Sequence, residues 1–162
     1  SKNIMQGIKK VFDKNNILVK RVDYTNIHWA PVIHCIVKYN DKILLIQRSE
    51  KLDHPLYWSG VSGFLDDQKG LQNKVKEELK EEIGITSKQI KSIHLGEIFH
   101  RNAPIFKKTW IVHPILVKLH SNEIQLNSKE CRDFRWVNLK DINKFRLLPG
   151  FKETLKFALE KD

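Results

Sequence analysis

The chain has 162 residues, of which 41% are hydrophobic, and it carries a formal net charge of +10. Four Trp and eight Phe add to this apolar content, which is enough for the core of one domain and excludes a disordered chain. The positive charge favours anionic partners such as nucleotides, nucleic acid or phosphorylated metabolites.

The sequence shows no membrane or secretion signal. No apolar run approaches the ~20 residues of a membrane-spanning helix, so no membrane partner is expected. Cys35 and Cys131 form no metal or redox motif. We therefore expect two buried free thiols in a cytoplasmic protein, with a single disulfide as the alternative.

The first 28 residues are predicted to form an extension made of a helix and a strand. Apolar residues recur at helical spacing in the segment 3–15, and residues 17–24 alternate as in a short strand. The extension is either a cap over the sheet or a dimer contact. Both a monomer and a homodimer are consistent with the sequence.

Two strands and a helix are predicted next. Residues 29–39 are rich in β-branched side chains, and a turn at residues 40–41 leads into a second strand at residues 43–47. After a polar loop, residues 58–64 lead to a helix that starts near Leu71. It ends at Gly84, because glycine readily adopts the left-handed conformation that closes a helix.

The second half of the chain continues the alternation of strands and helices. The remaining elements are strands at residues 90–100, 109–119 and 134–137, a helical turn at residues 141–145, and a last amphipathic helix that starts at Pro149. Pro104 separates two of these strands, and Pro114 predicts an edge strand or a bulge. The pattern predicts a mixed α/β sandwich.

The central helix carries three acids on one side. Glu78, Glu81 and Glu82 fall within an arc of about 100°, beside the apolar Leu79 and Ile83. Clustered carboxylates repel one another, whereas a hard cation such as Mg²⁺ prefers their oxygens. The alternative is a solvated surface helix, since three lysines are interleaved with the acids: Lys74, Lys76 and Lys80.

This region resembles the signature of the Nudix hydrolase family. Residues 63–85 read GFLDDQKGLQNKVKEELKEEIGI, in which Gly63 and Gly84 hold the glycine positions and the core E-L-x-E-E-x-G-I is complete. Two positions depart from the pattern: Lys69 replaces a glutamate, and Glu77 replaces an arginine. The segments LLIQRS before and FRWV after are also typical, so the resemblance covers roughly residues 29–160.

The resemblance implies a fold and an activity. The expected fold is a Nudix-type α/β/α sandwich with a mixed β-sheet, formed by residues 29–162. The expected activity is metal-dependent hydrolysis of a pyrophosphate bond in a nucleoside diphosphate linked to a further group, or in a related diphosphate. Mg²⁺ is the expected cofactor and Mn²⁺ the alternative.

The resemblance also assigns roles to residues of this chain. The catalytic and metal-binding set comprises Glu78, Glu81 and Glu82, with Glu81 either a ligand or the base. The backbone carbonyl of Ser62 is expected to bind the metal. Glu130, six residues before Trp136, is expected to supply a further ligand; the alternative is an ordinary acid of a surface loop.

The two departures carry a hypothesis of their own. We expect Lys69 and Glu77 to form a charge-reversed ion pair that ties the loop to the helix. A competing hypothesis is that Lys69 enters the metal site and weakens the enzyme. A third is that Asp66 or Asp67 supplies the missing carboxylate.

Four residues are predicted to bind substrate. Arg48 follows a strand and is expected to meet a phosphate, with a surface ion pair as the alternative. Trp58 adjoins the signature and is expected to stack on a base, with core packing as the alternative. His100 and Arg101 are expected to contact substrate from a loop.

Two other functions compete with hydrolysis. One is a non-catalytic protein that binds nucleotides or RNA on a degenerate Nudix scaffold, which the charge and the altered signature favour. The other is an enzyme like the isomerase of isopentenyl diphosphate. That reaction uses a cysteine in the region of residues 58–63, where this chain reads WSGVSG. The expected partner is a small diphosphate, with RNA as a second candidate.

Overall fold

The fold is a mixed sheet between helices. A computed structural model describes residues 8–12, 16–127 and 129–162. Within these residues, eight strands form one sheet and two further strands form a separate hairpin. The elements are β1 (Ile8–Phe12), β2 (Leu18–Val22), β3 (Trp29–Tyr39), β4 (Lys42–Arg48), β5 (Trp58–Ser59), β6 (Val61–Phe64), α1 (Leu71–Ile83), β7 (Ile90–Leu95), β8 (Phe99–Ala103), β9 (Lys108–Leu119), β10 (Cys131–Asn138) and α2 (Phe151–Leu159). The predicted mixed α/β sandwich is confirmed.

The order of the strands brings the signature to the middle of the sheet. The main order is β10-β4-β3-β9-β7, in which β3 and β9 are parallel and the other neighbours are antiparallel. β3 pairs with β4 next to their turn, where Tyr39 lies opposite Lys42, and then pairs with β6, where Ile33 lies opposite Gly63. The segment β5–β6 therefore fills the space where β3 and β4 diverge.

Helix α1 covers one face of the sheet. Its buried Val75, Leu79 and Ile83 follow one another at intervals of four residues and pack against strand residues that include Ile33 and Cys35. The predicted helix and its end at Gly84 are confirmed, with a φ of 67° at the glycine. A Cβ at this position would also lie 2.9 Å from the Cβ of Gln125, so both conformation and space call for glycine.

Helix α2 covers the other face. Phe151, Leu155 and Ala158 pack against a second core cluster that includes Ile36 and Leu116. The helix starts at Phe151, two residues after the predicted start at Pro149, and a short 3₁₀ helix, Leu139–Lys144, stands where a helical turn was expected. Cys35 and Cys131 are buried free thiols, as predicted. In the described part of the chain, no helix has the length and apolar character needed to cross a membrane.

A buried histidine joins the second face of the sheet to α2. In His34, Nε2 lies 3.0 Å from Ser59 Oγ, and Nδ1 lies 2.9 Å from Thr154 Oγ1. The ring is only 7% exposed, and this burial lowers the pKa of His34 to about 4. The folded protein therefore favours the neutral imidazole over the charged form.

This histidine is expected to make stability depend on pH. Between its unfolded pKa near 6.5 and its folded pKa of about 4, the unfolded chain binds more protons, so stability falls as the pH decreases through that window. Relative to His34→Gln, the wild type should lose about 2 kcal/mol of unfolding free energy between pH 7.5 and pH 5. Denaturant titrations of both proteins measure this difference. Parallel pH profiles would contradict it.

The predicted N-terminal helix is wrong where the structure describes it. Residues 8–12 form strand β1, which pairs with β2 so that Val11 lies opposite Val19. Strand pairing prevails because the hairpin docks on the signature loop, where the Val22 amide donates to the Asp66 carbonyl at 2.6 Å. Residues 3–7 and 13–15 of the predicted helix lie outside the described residues. The predicted strand at 17–24 is present as β2.

The predicted strand at residues 90–100 is divided into β7 and β8. The division lies opposite Pro114, between the pairs Leu95–Ile115 and Phe99–Val112. There the Gly96 amide donates to the Pro114 carbonyl at 2.7 Å. Pro114 itself lies inside the sheet, opposite His34 of parallel β3, so the predicted edge strand is wrong. The sheet accommodates the missing proline N–H by interrupting the neighbouring strand.

Candidate active site

Glu78 lies directly on the backbone of β6. A Cβ added to Gly63 would lie 2.6 Å from Cδ and 2.7 Å from Oε1 of Glu78. Any other residue at position 63 would therefore displace this carboxylate. The first glycine of the signature is explained by this close contact between strand and helix.

Glu82 lies one helical turn further along α1 and is largely buried. Its Oε2 atom is buried and has no hydrogen-bond partner among the described residues. Burial raises the pKa of Glu82 well above its ordinary value, and a hydrogen bond that its carboxylate accepts from the backbone of Ser62 acts in the opposite direction. A buried carboxylate oxygen without a partner is costly, so this atom is available to a ligand.

Glu130 reaches this region through the loop that precedes β10. The loop binds the carbonyl end of α1, where the Asn127 amide donates to the Glu82 carbonyl at 2.9 Å. The Glu130 carbonyl then accepts a hydrogen bond of 2.9 Å from the Ser49 amide. These contacts place Glu130 close enough to Glu82 for its charge to raise the pKa of Glu82.

The acids of the signature form one electronegative cluster. Burial raises the pKa of Glu78 to about 7, and the charges of Glu81 and Glu77 act in the same direction, while Lys74 opposes them. For Glu82, the charges of Glu78, Glu130 and Glu81 add to the effect of burial. The structure thus brings together the predicted acids: Glu78, Glu81, Glu82 and Glu130.

The donor chemistry of this cluster fits a hard divalent cation. Across the described residues, no three His, Cys, Asp or Glu side chains already converge as a set of metal ligands. However, the acids raise one another's pKa, and Glu82 Oε2 lacks a partner. A cation that prefers carboxylate oxygens would relieve both costs, and rotation of the glutamate side chains would bring the oxygens to it.

The two unusual residues of the signature form the expected ion pair. Lys69 Nζ lies 3.0 Å from Glu77 Oε2, and the pair joins the loop before α1 to the helix. The side chains are 27% and 11% exposed, so solvent screens the pair only in part. The predicted charge-reversed ion pair is therefore present, and the Lys69 ammonium is bound to the Glu77 carboxylate.

Exchanging the two charges tests whether this pair is compensatory. Lys69→Glu or Glu77→Arg alone should destabilise the fold, whereas the double variant should restore the pair with a coupling free energy of about 1 kcal/mol. Turnover of the double variant should stay within a few-fold of the wild type. Denaturant unfolding and steady-state kinetics of the four proteins measure both effects. A large gain in turnover by the double variant would contradict a compensating pair.

A buried lysine anchors the signature loop, so the alternative of a fully solvated helix does not hold at this position. Lys74 is 3% exposed, and its ammonium lies 2.7 Å from Asp66 Oδ1 and 3.2 Å from Asp67 Oδ2. Burial alone would lower the pKa of Lys74, but hydrogen bonds to the two aspartates and the charges of Asp66 and Glu77 raise it. Asp66 and Asp67 thus bind a cation of the protein, which argues against their predicted use as substitute catalytic carboxylates.

The N-terminal hairpin adds a second cation to this network. Arg21 lies 3.6 Å from the Asp66 carboxylate and 3.7 Å from the Asp67 carboxylate. Nearby, the Tyr24 hydroxyl donates to the Leu65 carbonyl at 2.7 Å. The extension therefore braces the loop of the signature, a role that the sequence did not indicate.

Arg48 and Trp58 have structural partners. The Arg48 guanidinium donates to the Asp53 carbonyl at 2.8 Å and to its carboxylate at 2.9 Å, which corresponds to the ion-pair alternative. The Trp58 ring packs edge-to-face on Phe145 at 5.3 Å and joins the core cluster beneath α2. Trp58 thus packs on the face of the sheet opposite α1, in agreement with the core alternative.

His100 and Arg101 also contact other side chains of the protein. They belong to β8 rather than to a loop, and successive strand residues point to opposite faces. The centroids of the His100 and Trp29 rings lie 5.3 Å apart. The Arg101 side chain packs on Gly150, and its guanidinium lies 3.4 Å from the Glu153 carboxylate near the start of α2. Arg101 therefore lies toward α2, on the sheet face opposite α1, whereas Arg48 pairs with Cys131, the residue after Glu130.

Comparisons with known proteins support this architecture. The chain is similar to a MutT NUDIX hydrolase from Burkholderia pseudomallei, with a TM-score of 0.68 and 18% identity over 81% of this chain and 98% of that one. It is also similar to an Ap4A hydrolase from C. elegans, with a TM-score of 0.66 and 23% identity over 82% and 96% of the two chains. The NUDIX domain of Shewanella oneidensis NrtR, solved with ADP ribose, gives a TM-score of 0.68 at 18% identity, covering 81% of this chain and 86% of that one.

At these low sequence identities, the similarity to the solved structures establishes the fold alone. A search of curated protein sequences returns no significant match. The sequence itself matches the NUDIX domain profile over residues 28–157, which is most of the chain. This chain therefore belongs to the Nudix family.

Proposed function

We propose that the protein is a metal-dependent hydrolase that cleaves a pyrophosphate bond in a nucleoside diphosphate linked to a further group, or in a related diphosphate. The observation that carries the proposal is the Glu82 carboxylate, buried beside Glu78 with one oxygen unpartnered in the described structure. A protein gains nothing in stability from such a cluster, so a functional use is the better explanation. Membership of the family agrees with it.

In the proposed reaction, some residues bind the metal ion and another accepts a proton. Glu78 and Glu82 would hold Mg²⁺ or Mn²⁺, aided by Glu130 and the carbonyl of Ser62. When bound, such an ion polarises phosphoryl oxygens and lowers the pKa of a coordinated water. Glu81 is the exposed member of the triad and accepts the proton of the water that attacks phosphorus. The P–O–P bond then breaks and the bridging oxygen leaves with the second phosphate.

The competing functions are less well supported. A binder of polyanions would be weakened by four clustered carboxylates, because they repel phosphate. An isomerase that relies on cysteine near residues 58–63 lacks that residue, and both cysteines of the chain are buried elsewhere. A nucleotide substrate is in keeping with neighbours described as an Ap4A hydrolase and as a domain complexed with ADP ribose.

Chromatographic detection of the two cleavage products across a panel of phosphoanhydrides tests the proposal. The panel contains nucleoside triphosphates, ADP-ribose, dinucleoside polyphosphates, and capped or triphosphorylated RNA, each with Mg²⁺ and with a chelator. We expect cleavage of one class of substrate that depends on Mg²⁺ and is lost in Glu78→Gln. Glu160→Gln, a matched change at an exposed glutamate on the C-terminal side of α2, should behave as the wild type. Turnover that persists with the chelator or in Glu78→Gln would contradict the assignment.

A further inference from the structure

Six lysines line two adjoining grooves on the surface. One groove, of about 480 Å³, lies between the N-terminal hairpin and the signature loop, where Lys10, Lys20 and Lys69 line it. The other, of about 620 Å³, runs along α1 and contains Lys69 again. We call the combined surface the lysine track and define it by its cations: Lys10, Lys20, Lys69, Lys76, Lys80 and Lys88.

The positive charge of the lysine track is largely unbalanced. Its two acids are already engaged, because Asp67 lies 3.2 Å from Lys74 and Glu77 lies 3.0 Å from Lys69. Among the described residues, five of the lysines have no acidic partner: Lys10, Lys20, Lys76, Lys80 and Lys88. Like charges also face each other, with Lys10 directly opposite Lys20 in the hairpin. Such arrangements cost free energy that an anionic ligand would recover.

The lysine track is distinct from the candidate active site. Lys80 follows Glu78 by two positions on α1, which is a rotation of about 200° around the helix axis. Lys76 and Lys80 thus lie on the side of α1 away from Glu78 and Glu82, and Glu81 lies about 100° from Lys80. A ligand in the lysine track is therefore held by different atoms from a substrate at the acids.

We propose that the lysine track binds a single strand of nucleic acid. Two grooves in succession fit a flexible chain of phosphates better than one small anion, and their concave shape suits a strand better than a flat lipid surface. At the hairpin end, Phe12 and Leu18 are paired across the strands and are 66% and 55% exposed. They share a face with Lys10 and Lys20, so bases can stack where phosphates bind.

Binding of fluorescent 12-nucleotide U and T strands by the full chain tests this proposal, with anisotropy recorded from 50 to 300 mM NaCl in the presence of a chelator. The test variant is Lys76→Gln/Lys80→Gln/Lys88→Gln. The control is Lys140→Gln/Lys152→Gln/Lys161→Gln, which removes the same charge from exposed positions elsewhere. We expect the test variant to bind about tenfold more weakly at 50 mM NaCl, with a salt slope smaller by about 2. The control should stay within about threefold of the wild type, since its lysines make no direct contact.

Further measurements distinguish binding at the lysine track from nonspecific electrostatic attraction to the whole protein. Phe12→Ala should weaken binding without changing the salt slope, because it removes stacking and no charge. Hydrolysis of a small diphosphate should be unchanged in the test variant, so this proposal and the proposed activity can fail separately. Equal loss in the test and control variants, or no binding of either strand at 50 mM NaCl, would overturn the proposal. Track-dependent binding to anionic vesicles without binding to the strands would also overturn it.

Discussion

Lys74→Met is expected to lower the free energy of unfolding by about 3–5 kcal/mol, because it leaves the buried Asp67 carboxylate and the half-buried Asp66 carboxylate without their closest cation. The Lys74 ammonium lies 2.7 Å from Asp66 and 3.2 Å from Asp67, and the Asp67 side chain is 1% exposed. Methionine keeps the length and apolar stem of lysine, so the change in packing is small. Arg21 stays at 3.6 Å or more and compensates only in part.

Denaturant unfolding at pH 7 measures this effect against two matched variants. Lys76→Met makes the same change on the outer side of α1 and should cost less than 1 kcal/mol. Adding Asp67→Asn to Lys74→Met should recover part of the loss, since it removes one unpaired charge. A cost below 1 kcal/mol for Lys74→Met would show that solvent, rather than lysine, satisfies the aspartates.

Glu82→Gln is expected to reduce kcat/KM by about 100-fold or more, equivalent to about 2.7 kcal/mol of transition-state stabilisation. The same variant should be at least as stable as the wild type at pH 8 without metal. The sign follows from the pKa, which is raised in the folded state, so the carboxylate destabilises the fold increasingly as the pH rises above its unfolded value of 4.5. Glutamine keeps the shape and removes the charge.

This combination separates a functional residue from a structural one. Loss of activity through misfolding would be accompanied by a lower melting temperature, whereas the expected variant loses activity and keeps or gains stability. Thermal unfolding and turnover on the substrate identified by the panel provide the two measurements. Glu160→Gln again serves as the control. Full activity in Glu82→Gln would remove this carboxylate from the proposed mechanism.

The sequence predicted the elements whose determinants are local. The amphipathic spacing of α1, its glycine end and the turn between β3 and β4 all arise from neighbouring residues, and all are present. The pairing of Lys69 with Glu77 was also predictable, because the two positions of the signature exchange their charges. The helix predicted for the N-terminal segment was wrong because the apolar pattern of this segment fits both a helix and a hairpin. The docking of the segment on the signature loop favours the hairpin.

The partners of polar side chains were less predictable. Lys74 is indistinguishable in sequence from Lys76 and Lys80, although two consecutive aspartates upstream were a signal for a paired lysine. Arg101 meets Glu153 through a tertiary contact, and Arg48 meets Asp53 only because the loop between them folds back. The lysine track joins segments that are far apart in the chain, which explains why no dense basic run is visible in the sequence.

The parallel pair at the centre of the sheet has a consequence for synthesis on the ribosome. Trp29 lies opposite Thr109, eighty positions later, and β3 and β9 remain in register from there to Lys38 and Lys118. During translation, β3 and helix α1 leave the ribosome well before the strand that completes their core. The nascent chain therefore exposes the apolar face of β3 for much of its synthesis, and such non-local pairing folds slowly. Chaperone dependence and yield at high expression rates are expected to follow this interval rather than the stability of the finished protein.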